Sequence, residues 1–515
     1  MASLVDVRSE QTALTLSKNL LLLILLLLIG TALRLYELGA ESFWQDEVTM
    51  AVITSDTAQF IEQITFERAP VFTALGYIWV SLFGVSETAV RTLPMLLGVL
   101  SIAILYLVGR ELFDARVGLI AAFFMTFAGQ HIYHSQNYRY YAAMVLFTLL
   151  SFLFLARALR SNRWRDFGLY ILFSALLFYT HLHGVFILMA QGFLFILEWF
   201  NRRWLPSTRL KWLVSLILIA LIVSPFVIYR VADRVVSSEG LGLDWLTAPE
   251  LTAPLDYVIG FLFYGKELVS IVLSLVVLVV GLAIYIVRQG FPNWRRNLEQ
   301  TASQVRDYLR AHRHELAVLL VWFVIPIAAP FILSFVITPM FTSRYIITAS
   351  PALYLLIAVA LVNTRRLIPT ALLLATYLIA AMPGFYNSYY IGVSKEQWRE
   401  SAAYVEQMEA EGDVIVIPTF DRPEGFTEVD AFDWYYGGQL PICQMVYERI
   451  NEPEVAQAFS QCVSGHDRIW LVLFDHPNFP AQIEDLRAYF AASQLAQAEA
   501  TGFQFISVYR FEPSS

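Results

Sequence analysis

The chain has 515 residues, of which 57% are hydrophobic and only 15% are charged. Soluble proteins carry about 25% charged residues, so this composition excludes a wholly soluble protein. The formal net charge of −8 is the sum of two unlike regions, and no basic cluster interleaved with aromatic residues is present, which excludes a nucleic-acid-binding protein. Membrane-like sequence runs to about residue 390, and soluble-like sequence follows from 392 to 515.

Apolar stretches long enough to cross a bilayer, which takes ~20 residues, recur through the membrane-like region. The first is too long and too Leu-rich for a cleaved signal peptide, and no small-residue cleavage site follows it, so we interpret it as an anchor. We predict about eleven spans, at 19–36, 89–109, 117–133, 140–157, 167–182, 184–200, 212–229, 267–287, 316–336, 345–362 and 367–386.

The orientation follows from the basic residues, more than half of which fall in alternate loops. The loop from Arg157 to Arg165 and the loop at 288–314 are the clearest cases. Because cytoplasmic loops are rich in Lys and Arg, we place the N-terminus in the cytoplasm and the C-terminus outside. The apolar segment 70–83 is too short to span and predicts an interfacial helix, so that 37–88 forms one long outer loop.

On this topology, polar groups gather at the outer ends of the spans. Ionisable residues at membrane depth are costly and are therefore candidates for function. The segments concerned are WQDE (44–47), ERAP (67–70), Arg91, HIYHSQNYRYY (131–141), THLHG (180–184) and FTSRY (341–345).

The residue types in these segments fit transfer from a lipid-linked phosphate. Carboxylates can take a proton from an acceptor, arginines can hold a phosphate, and aromatic rings can contact a sugar. The candidates are the carboxylates Asp46, Glu47 and Glu67, the arginines Arg68, Arg139 and Arg344, and the aromatics Trp44, Tyr138, Tyr140, Tyr141 and Tyr345.

Simpler explanations exist for each of these groups. Asp46 and Glu47 could cap a solvated helix, Glu67–Arg68 could be a surface ion pair, and Arg91 could snorkel from a helix end. Arg139 and Arg344–Tyr345 could be interfacial anchors.

Histidines recur in two of the segments. His131 and His134 are three positions apart, and His181 and His183 flank one residue. A divalent metal is therefore possible, although hydrogen-bonding histidines at an aqueous interface are the more common case. No cofactor is required by the pattern.

The soluble-like region predicts a small extracytoplasmic α/β domain at 391–515. Predicted helices are SKEQWRESAAYVEQMEAEG (394–412) and PAQIEDLRAYFAASQ (480–494), and predicted strands are DVIVIPT (413–419), RIWLVLFD (468–475) and FQFISVYRF (503–511). Cys443 and Cys462 either form a disulfide, if the domain is outside the cytoplasm, or stay reduced. The domain could bind the acceptor or only cover the site.

Several motifs together resemble a known family. WQDEV, FERAP, the stretch GVSETAVRTLPM with the span that follows it, SQNYRYYAAM and SRYIITASPAL occur in the order seen in GT-C glycosyltransferases of the protein O-mannosyltransferase type. That family includes the bacterial aminoarabinose transferase that modifies lipid A. The resemblance covers roughly residues 17–390.

The resemblance implies a GT-C helix bundle with an outward-facing active site in the inner (plasma) membrane. It implies inverting transfer of a sugar from a polyprenyl monophosphate to a protein, lipid or glycan acceptor. Asp46 would be the general base, and Glu47 would brace the loop with Arg91 as its partner. Glu67 and Arg68 would line the site, and Arg139, Arg344 and Tyr345 would complete the phosphate pocket.

Two departures from the family pattern concern the substrate. Asn137 stands where a glutamate is common, and Arg68-Ala69-Pro70 replaces a common His-Pro-Pro. No relative's substrate can therefore be copied. A ligase that uses a lipid pyrophosphate, a non-catalytic lipid-binding subunit and a transporter remain alternatives, the last disfavoured because polar residues lie at span ends rather than at the midplane.

Overall fold

The structure is a computed structural model that describes residues 2–66, 70–199, 204–237, 246–264, 303–304, 306–362, 367–419, 427–446, 449, 452–466, 468–475 and 495–513. The chain forms two compact units. We call Met1–Tyr36, Thr65–Leu75 and Thr92–Tyr390 the helical unit, and Glu37–Ile64, Gly76–Arg91 and Ile391–Ser515 the sheet unit.

Helices dominate the described residues up to 391. In chain order they are α1 (Ala2–Leu35), α2 (Gln45–Ser55), α3 (Thr57–Phe66), α4 (Pro70–Phe83), α5 (Glu87–Leu112), α6 (Ala115–Phe127), α7 (Gly129–Ser135), α8 (Tyr141–Ser161), α9 (Trp164–Thr180), α10 (Gly184–Trp199), α11 (Pro206–Ser237), α12 (Ala253–Leu262), α13 (Arg313–Val336), α14 (Ser343–Ile346), α15 (Ser350–Val362) and α16 (Leu367–Phe385). A 3₁₀ turn at Ile347–Ala349 joins α14 to α15, and a π-helical turn at Tyr386–Ile391 follows α16.

Among the described residues, seven helices are long and apolar enough to cross a membrane, or eight if the bent pair α6–α7 counts as one span. The predicted class, a polytopic helix bundle followed by a C-terminal sheet domain, is confirmed. The predicted count of eleven is not confirmed, because α9 and α10 have only 17 and 16 residues. The predicted span 267–287 lies outside the described residues, and the segment 70–83 forms α4 with the bounds expected of it.

The predicted single span 117–133 is broken at Ala128, and α6 and α7 meet there at 64°. Arg34, in the last turn of α1, donates to the carbonyls of Met125 (3.1 Å) and Thr126 (3.3 Å), which a continuous helix would bond itself. A Cβ on Gly129 would collide with the side chains of Tyr264 and Phe385. The break is therefore stabilised by residues distant in sequence, which is why the local pattern does not predict it.

The sheet unit ends in an α/β layer. Its elements are α17 (Trp398–Met408), β1 (Val414–Thr419), α18 (Glu428–Asp433), β2 (Ile442–Val446), α19 (Pro453–Val463), β3 (Ile469–Phe474), β4 (Leu495–Phe503) and β5 (Ile506–Pro513). The strand order is β2-β1-β3-β5-β4, with β1 parallel to both β2 and β3 and the last two strands antiparallel. Val414, Val416, Leu471 and Leu473 contribute to the buried core between sheet and helix.

Predicted and observed elements of this layer differ in identifiable ways. The predicted strands at 413–419 and 468–475 correspond to β1 and β3, and the predicted helix at 394–412 contains α17. The predicted strand 503–511 contains a chain reversal, with Phe505 at a φ of 59°, so that β4 and β5 form a hairpin. Strand β4 is an edge strand in which three Ala, one Glu and one Gly, types of low strand propensity, make up five of nine residues. The predicted helix 480–494 lies outside the described residues.

Cys443 and Cys462 are bonded. The disulfide joins β2 to α19 across a Cα–Cα distance of 6.1 Å, and Cys443 is part of the buried core. Of the two alternatives that the sequence leaves open, the structure therefore shows the bonded form. Disulfides persist in oxidising compartments.

Candidate active site

Glu47 is the buried centre of a charge network in the sheet unit. Arg91, in the second turn of α5, binds it through two parallel contacts, Nε to Oε1 at 2.9 Å and Nη2 to Oε2 at 2.6 Å. The same guanidinium donates to the carbonyls of Leu38 (3.2 Å), Glu41 (2.7 Å) and Ser42 (2.9 Å). Arg91 therefore fixes both the carboxylate and the path of the chain that leads into α2.

A second cation, Lys395, reaches the same carboxylate. Its Nζ lies 3.2 Å from Glu47 Oε2, and both side chains are buried. Burial, and then the nearby Arg91, lower the pKa of Lys395 to about 8. A carboxylate that faces two buried cations has little tendency to accept a proton. This geometry suits Glu47 to bracing the loop better than to acting as a base.

Asp46 precedes Glu47 in the first turn of α2 and is only half-buried. Trp44 is extended, at φ −84° and ψ 163°, and supplies no side-chain cap to the helix. Its indole nitrogen is buried, with no acceptor within hydrogen-bond distance among the described residues. A carboxylate and an indole donor at one helix start can serve an incoming hydroxyl-bearing molecule.

A second cluster lies in the helical unit, where aromatic rings and histidines from three loops meet. His181 stacks on Tyr140 at 4.5 Å between ring centroids, and Tyr345 of α14 lies 4.7 Å from His181 and 4.4 Å from His183. His134 of α7 lies 4.7 Å from Tyr141. The segments HIYHSQNYRYY, THLHG and FTSRY, which are far apart in sequence, are thus brought together.

Two predicted phosphate ligands belong to this aromatic cluster. The guanidinium of Arg139 lies over Tyr140 at 4.9 Å, and that of Arg344 lies over Tyr345 at 5.4 Å. Tyr138 is fully buried and packs 5.8 Å from Phe72 of α4, which is more typical of a core residue than of a ligand contact. Two guanidinium groups that lie over tyrosine rings can bind a phosphate, and the rings can contact an adjoining sugar.

Three of the four histidines are engaged in hydrogen bonds within the protein. His181 Nδ1 accepts a hydrogen bond from the amide of His183 at 3.2 Å, and His183 Nε2 is 3.0 Å from the carbonyl of Met340. His131 Nε2 is engaged with Ser350 Oγ at 2.7 Å. Throughout the ranges that the structure describes, no group of three or more His, Cys, Asp or Glu side chains could hold a metal ion.

Two predicted site residues are not described by the structure, and three buried residues near the WQDE segment are not predicted from the sequence. Glu67 and Arg68 lie outside the described residues. Lys395, Glu396 and Glu428, all buried in the sheet unit, are not predicted as site residues. In sequence, the first two look like the polar start of an ordinary amphipathic helix, and only their burial beside the WQDE segment distinguishes them.

Comparisons with known proteins agree with the resemblance. Residues 67–229 match the family model for dolichyl-phosphate-mannose-protein mannosyltransferases. A search of curated proteins found no significant match. The crystal structure of ArnT from Cupriavidus metallidurans in the apo state is similar with a TM-score of 0.59 and 13% identity, covering 95% of this chain and 97% of that one. The same protein bound to undecaprenyl phosphate gives 0.58, 13% identity, and the same coverage of both chains.

A weaker similarity links the chain to the apo oligosaccharyltransferase from Archaeoglobus fulgidus. The TM-score is 0.48 and the identity 15%, over 88% of this chain and 69% of that one, which is too low to establish a shared fold. The family match and the ArnT similarity confirm the predicted GT-C fold. They also confirm the resemblance to protein O-mannosyltransferase-type enzymes and the prediction of a multi-pass membrane glycosyltransferase.

Proposed function

We propose that this protein transfers a sugar from a polyprenyl monophosphate to an acceptor outside the cytoplasm, with inversion and with Asp46 as general base. The main support for the proposal is a difference between two neighbouring carboxylates in the first turn of α2. Glu47 is buried and bonded to Arg91 and Lys395, whereas the adjacent Asp46 is half-buried in the first turn of the same helix. The ArnT structure that contains undecaprenyl phosphate supports a polyprenyl phosphate as the lipid.

In the proposed reaction, Asp46 takes the proton of an acceptor hydroxyl or amine as that group attacks the anomeric carbon of the sugar. The bond between the anomeric carbon and the phosphate oxygen breaks, and polyprenyl phosphate leaves with the bonding electrons. Arg139 and Arg344 balance the negative charge that develops on this phosphate, with Arg68 as a further candidate. Tyr345 contacts the phosphate, and Trp44 and Tyr141 contact the sugar or the acceptor.

The proposed location is the plasma membrane, with the active site and the sheet domain on the extracytoplasmic face. The distribution of Lys and Arg supports this orientation. The disulfide between Cys443 and Cys462 supports it independently, because such bonds are rare in reducing cytoplasm. Labelling of an engineered cysteine in the 288–314 loop by an impermeant thiol reagent only after cell lysis would agree with it.

The test is a transfer assay with purified protein in liposomes. A panel of radiolabelled polyprenyl-phosphate sugars serves as donors and a membrane extract as acceptor, and the anomeric configuration of the product is compared with that of the donor. We expect transfer from at least one monophosphate donor with inversion. Transfer only from pyrophosphate donors would identify a ligase instead, and a donor that binds but is never consumed would identify a lipid-binding subunit.

A further inference from the structure

The helix that carries Asp46 has no cap from its own sequence. Trp44 precedes it and offers no side-chain acceptor, and yet the first amide of the helix, Gln45 N, is bonded at 2.9 Å to Oε2 of Glu396. A carboxylate at a helix N-terminus satisfies an otherwise unpaired amide and interacts favourably with the helix dipole. The cap of α2 thus comes from a residue 351 positions away.

Glu396 is itself held in place from several sides. Its Oε2 accepts a hydrogen bond from Trp398 Nε1 at 2.5 Å, and its main-chain carbonyl accepts one from Ser42 Oγ at 2.7 Å. The Glu396 side chain is only 8% exposed. Its carboxylate is therefore a fixed acceptor for α2 rather than a mobile surface group.

Neighbouring residues of the C-terminal region hold the rest of the segment before α2. The amide of Phe43 donates to Tyr435 Oη at 2.7 Å, and Ser394 donates through its amide (2.5 Å) and its hydroxyl (2.8 Å) to the carboxylate of Glu41. Together with the Glu396 contacts and the Lys395–Glu47 contact, these bonds hold Glu41, Ser42, Phe43, Gln45 and Glu47. The C-terminal region thus helps to form the WQDE loop.

We propose that Glu396 is a positioning residue for the transfer reaction, which caps the first turn of α2 and supplies a second negative charge beside Asp46. This inference rests on the proposed role of Asp46 as base. The charged groups that face Glu396 are Asp46 from α2 and Glu428 from α18, and Gln45 Nε2 bridges towards Glu428 at 3.3 Å. From α17, Glu400 reaches Ser42 Oγ at 3.3 Å.

The protonation state of Glu396 then affects the base. Burial raises the pKa of Glu396 to about 7, with Asp46 and Glu428 adding to the rise against the hydrogen bonds from Trp398 and Gln45. Above this pH, Glu396 is ionised, and its carboxylate caps the first turn of α2, which carries Asp46, most firmly. Below it, Glu396 is protonated and that support is lost, so transfer should rise as the pH increases through about 7.

The test compares Glu396→Gln with wild type by kcat and KM across pH 5.5–9. Glutamine keeps an oxygen that can accept from Gln45 N but cannot ionise. We expect kcat at pH 8 to fall roughly tenfold, the equivalent of one charge-assisted hydrogen bond. The inflection of kcat near pH 7 should disappear, and the donor KM should stay unchanged. The matched control is Glu409→Gln, which removes a carboxylate bonded to Tyr436 in the same region and should leave the profile as in wild type.

A second variant keeps the inference testable if Glu396→Gln does not fold. Trp398→Phe removes the indole hydrogen bond that favours the ionised carboxylate, so the inflection should move to higher pH. An unshifted inflection in Trp398→Phe, or a wild-type profile in Glu396→Gln, overturns the inference. Full activity of Asp46→Asn would instead overturn the proposed function, so the two failures are distinguishable.

Discussion

The two units each bury an arginine almost completely, and they satisfy it differently. Arg91 in the sheet unit is paired with the carboxylate of Glu47 and with three carbonyls. Arg34 in the helical unit donates to Ser135 Oγ at 3.2 Å and to the carbonyls of Gly30, Met125 and Thr126. Within the described ranges no carboxylate lies at ion-pair distance from Arg34.

The difference shows two ways of building a site from a buried cation. The charge of Arg91 is neutralised by the carboxylate of Glu47, so the geometry of this network depends on a buried ion pair. Arg34 instead bonds carbonyls at the break between α6 and α7, and α7 leads directly into the segment that carries Tyr138, Arg139 and Tyr140. The role of Arg34 depends on the length of its side chain and on the number of its N–H donors. A lysine at this position keeps the charge but has fewer donors.

The largest effect on stability is expected from breaking the compensated pair. Arg91→Met leaves Glu47 buried with Lys395 as its remaining cation, and should destabilise the sheet unit by about 3–5 kcal/mol. Denaturant unfolding monitored through the tryptophans of this unit measures it. Arg449→Met is the control, because its ion pair with Glu452 is exposed and solvent-screened, so stability should stay close to that of wild type.

A smaller, functional effect is expected at the broken helix. Arg34→Met fills the space but leaves the carbonyls of Met125 and Thr126 without their donors, at a cost of about 1–3 kcal/mol. We expect the donor KM to rise roughly tenfold, the equivalent of about 1.4 kcal/mol, while the pH profile keeps its shape. Arg34→Lys, with fewer donors, should give only partial recovery, and wild-type kinetics in Arg34→Met would remove the role that we give to this residue.

An effect seen only as the pH is varied is a change of stability in the sheet unit. Glu396, whose pKa is raised to about 7, binds its proton more tightly when folded, so stability should fall between about pH 4.5 and 7. Lys395, whose pKa is lowered to about 8, releases its proton more readily when folded, so stability should rise between about pH 8 and 10.5.

These two pH windows can be separated by substitution. Each window spans about 2.5 pH units, the equivalent of roughly 3 kcal/mol. Glu396→Gln should flatten the lower window alone, and Lys395→Met the upper one alone, in unfolding curves recorded across pH. Identical slopes in wild type and variant would show that the group does not titrate as described.

The sequence predicts the parts of this molecule that depend on local pattern. Long apolar runs identify the spans, and the Val- and Ile-rich runs identify β1 and β3. The WQDE segment attracts notice because carboxylates beside a membrane span are costly. Each of these signals lies within about 20 consecutive residues.

What the sequence does not predict depends on distant partners. The break at Ala128 is stabilised by Arg34 from another helix, and the cap of α2 comes from Glu396 in the C-terminal region. Neither Arg34 nor Glu396 stands in a motif of its own. Their roles follow only from burial and from hydrogen bonds across some 90 to 350 positions of sequence.

The most direct test of the account is transfer by Asp46→Asn, measured beside Asp56→Asn in liposomes with the donor that wild type uses. Asp56 lies at the far end of α2, where it caps the following helix through Gln59 N. We expect Asp46→Asn to bind the donor as wild type does but to lose transfer by about 100-fold or more, and Asp56→Asn to remain active. Full transfer by Asp46→Asn would contradict the assignment of the base and, with it, the proposed mechanism.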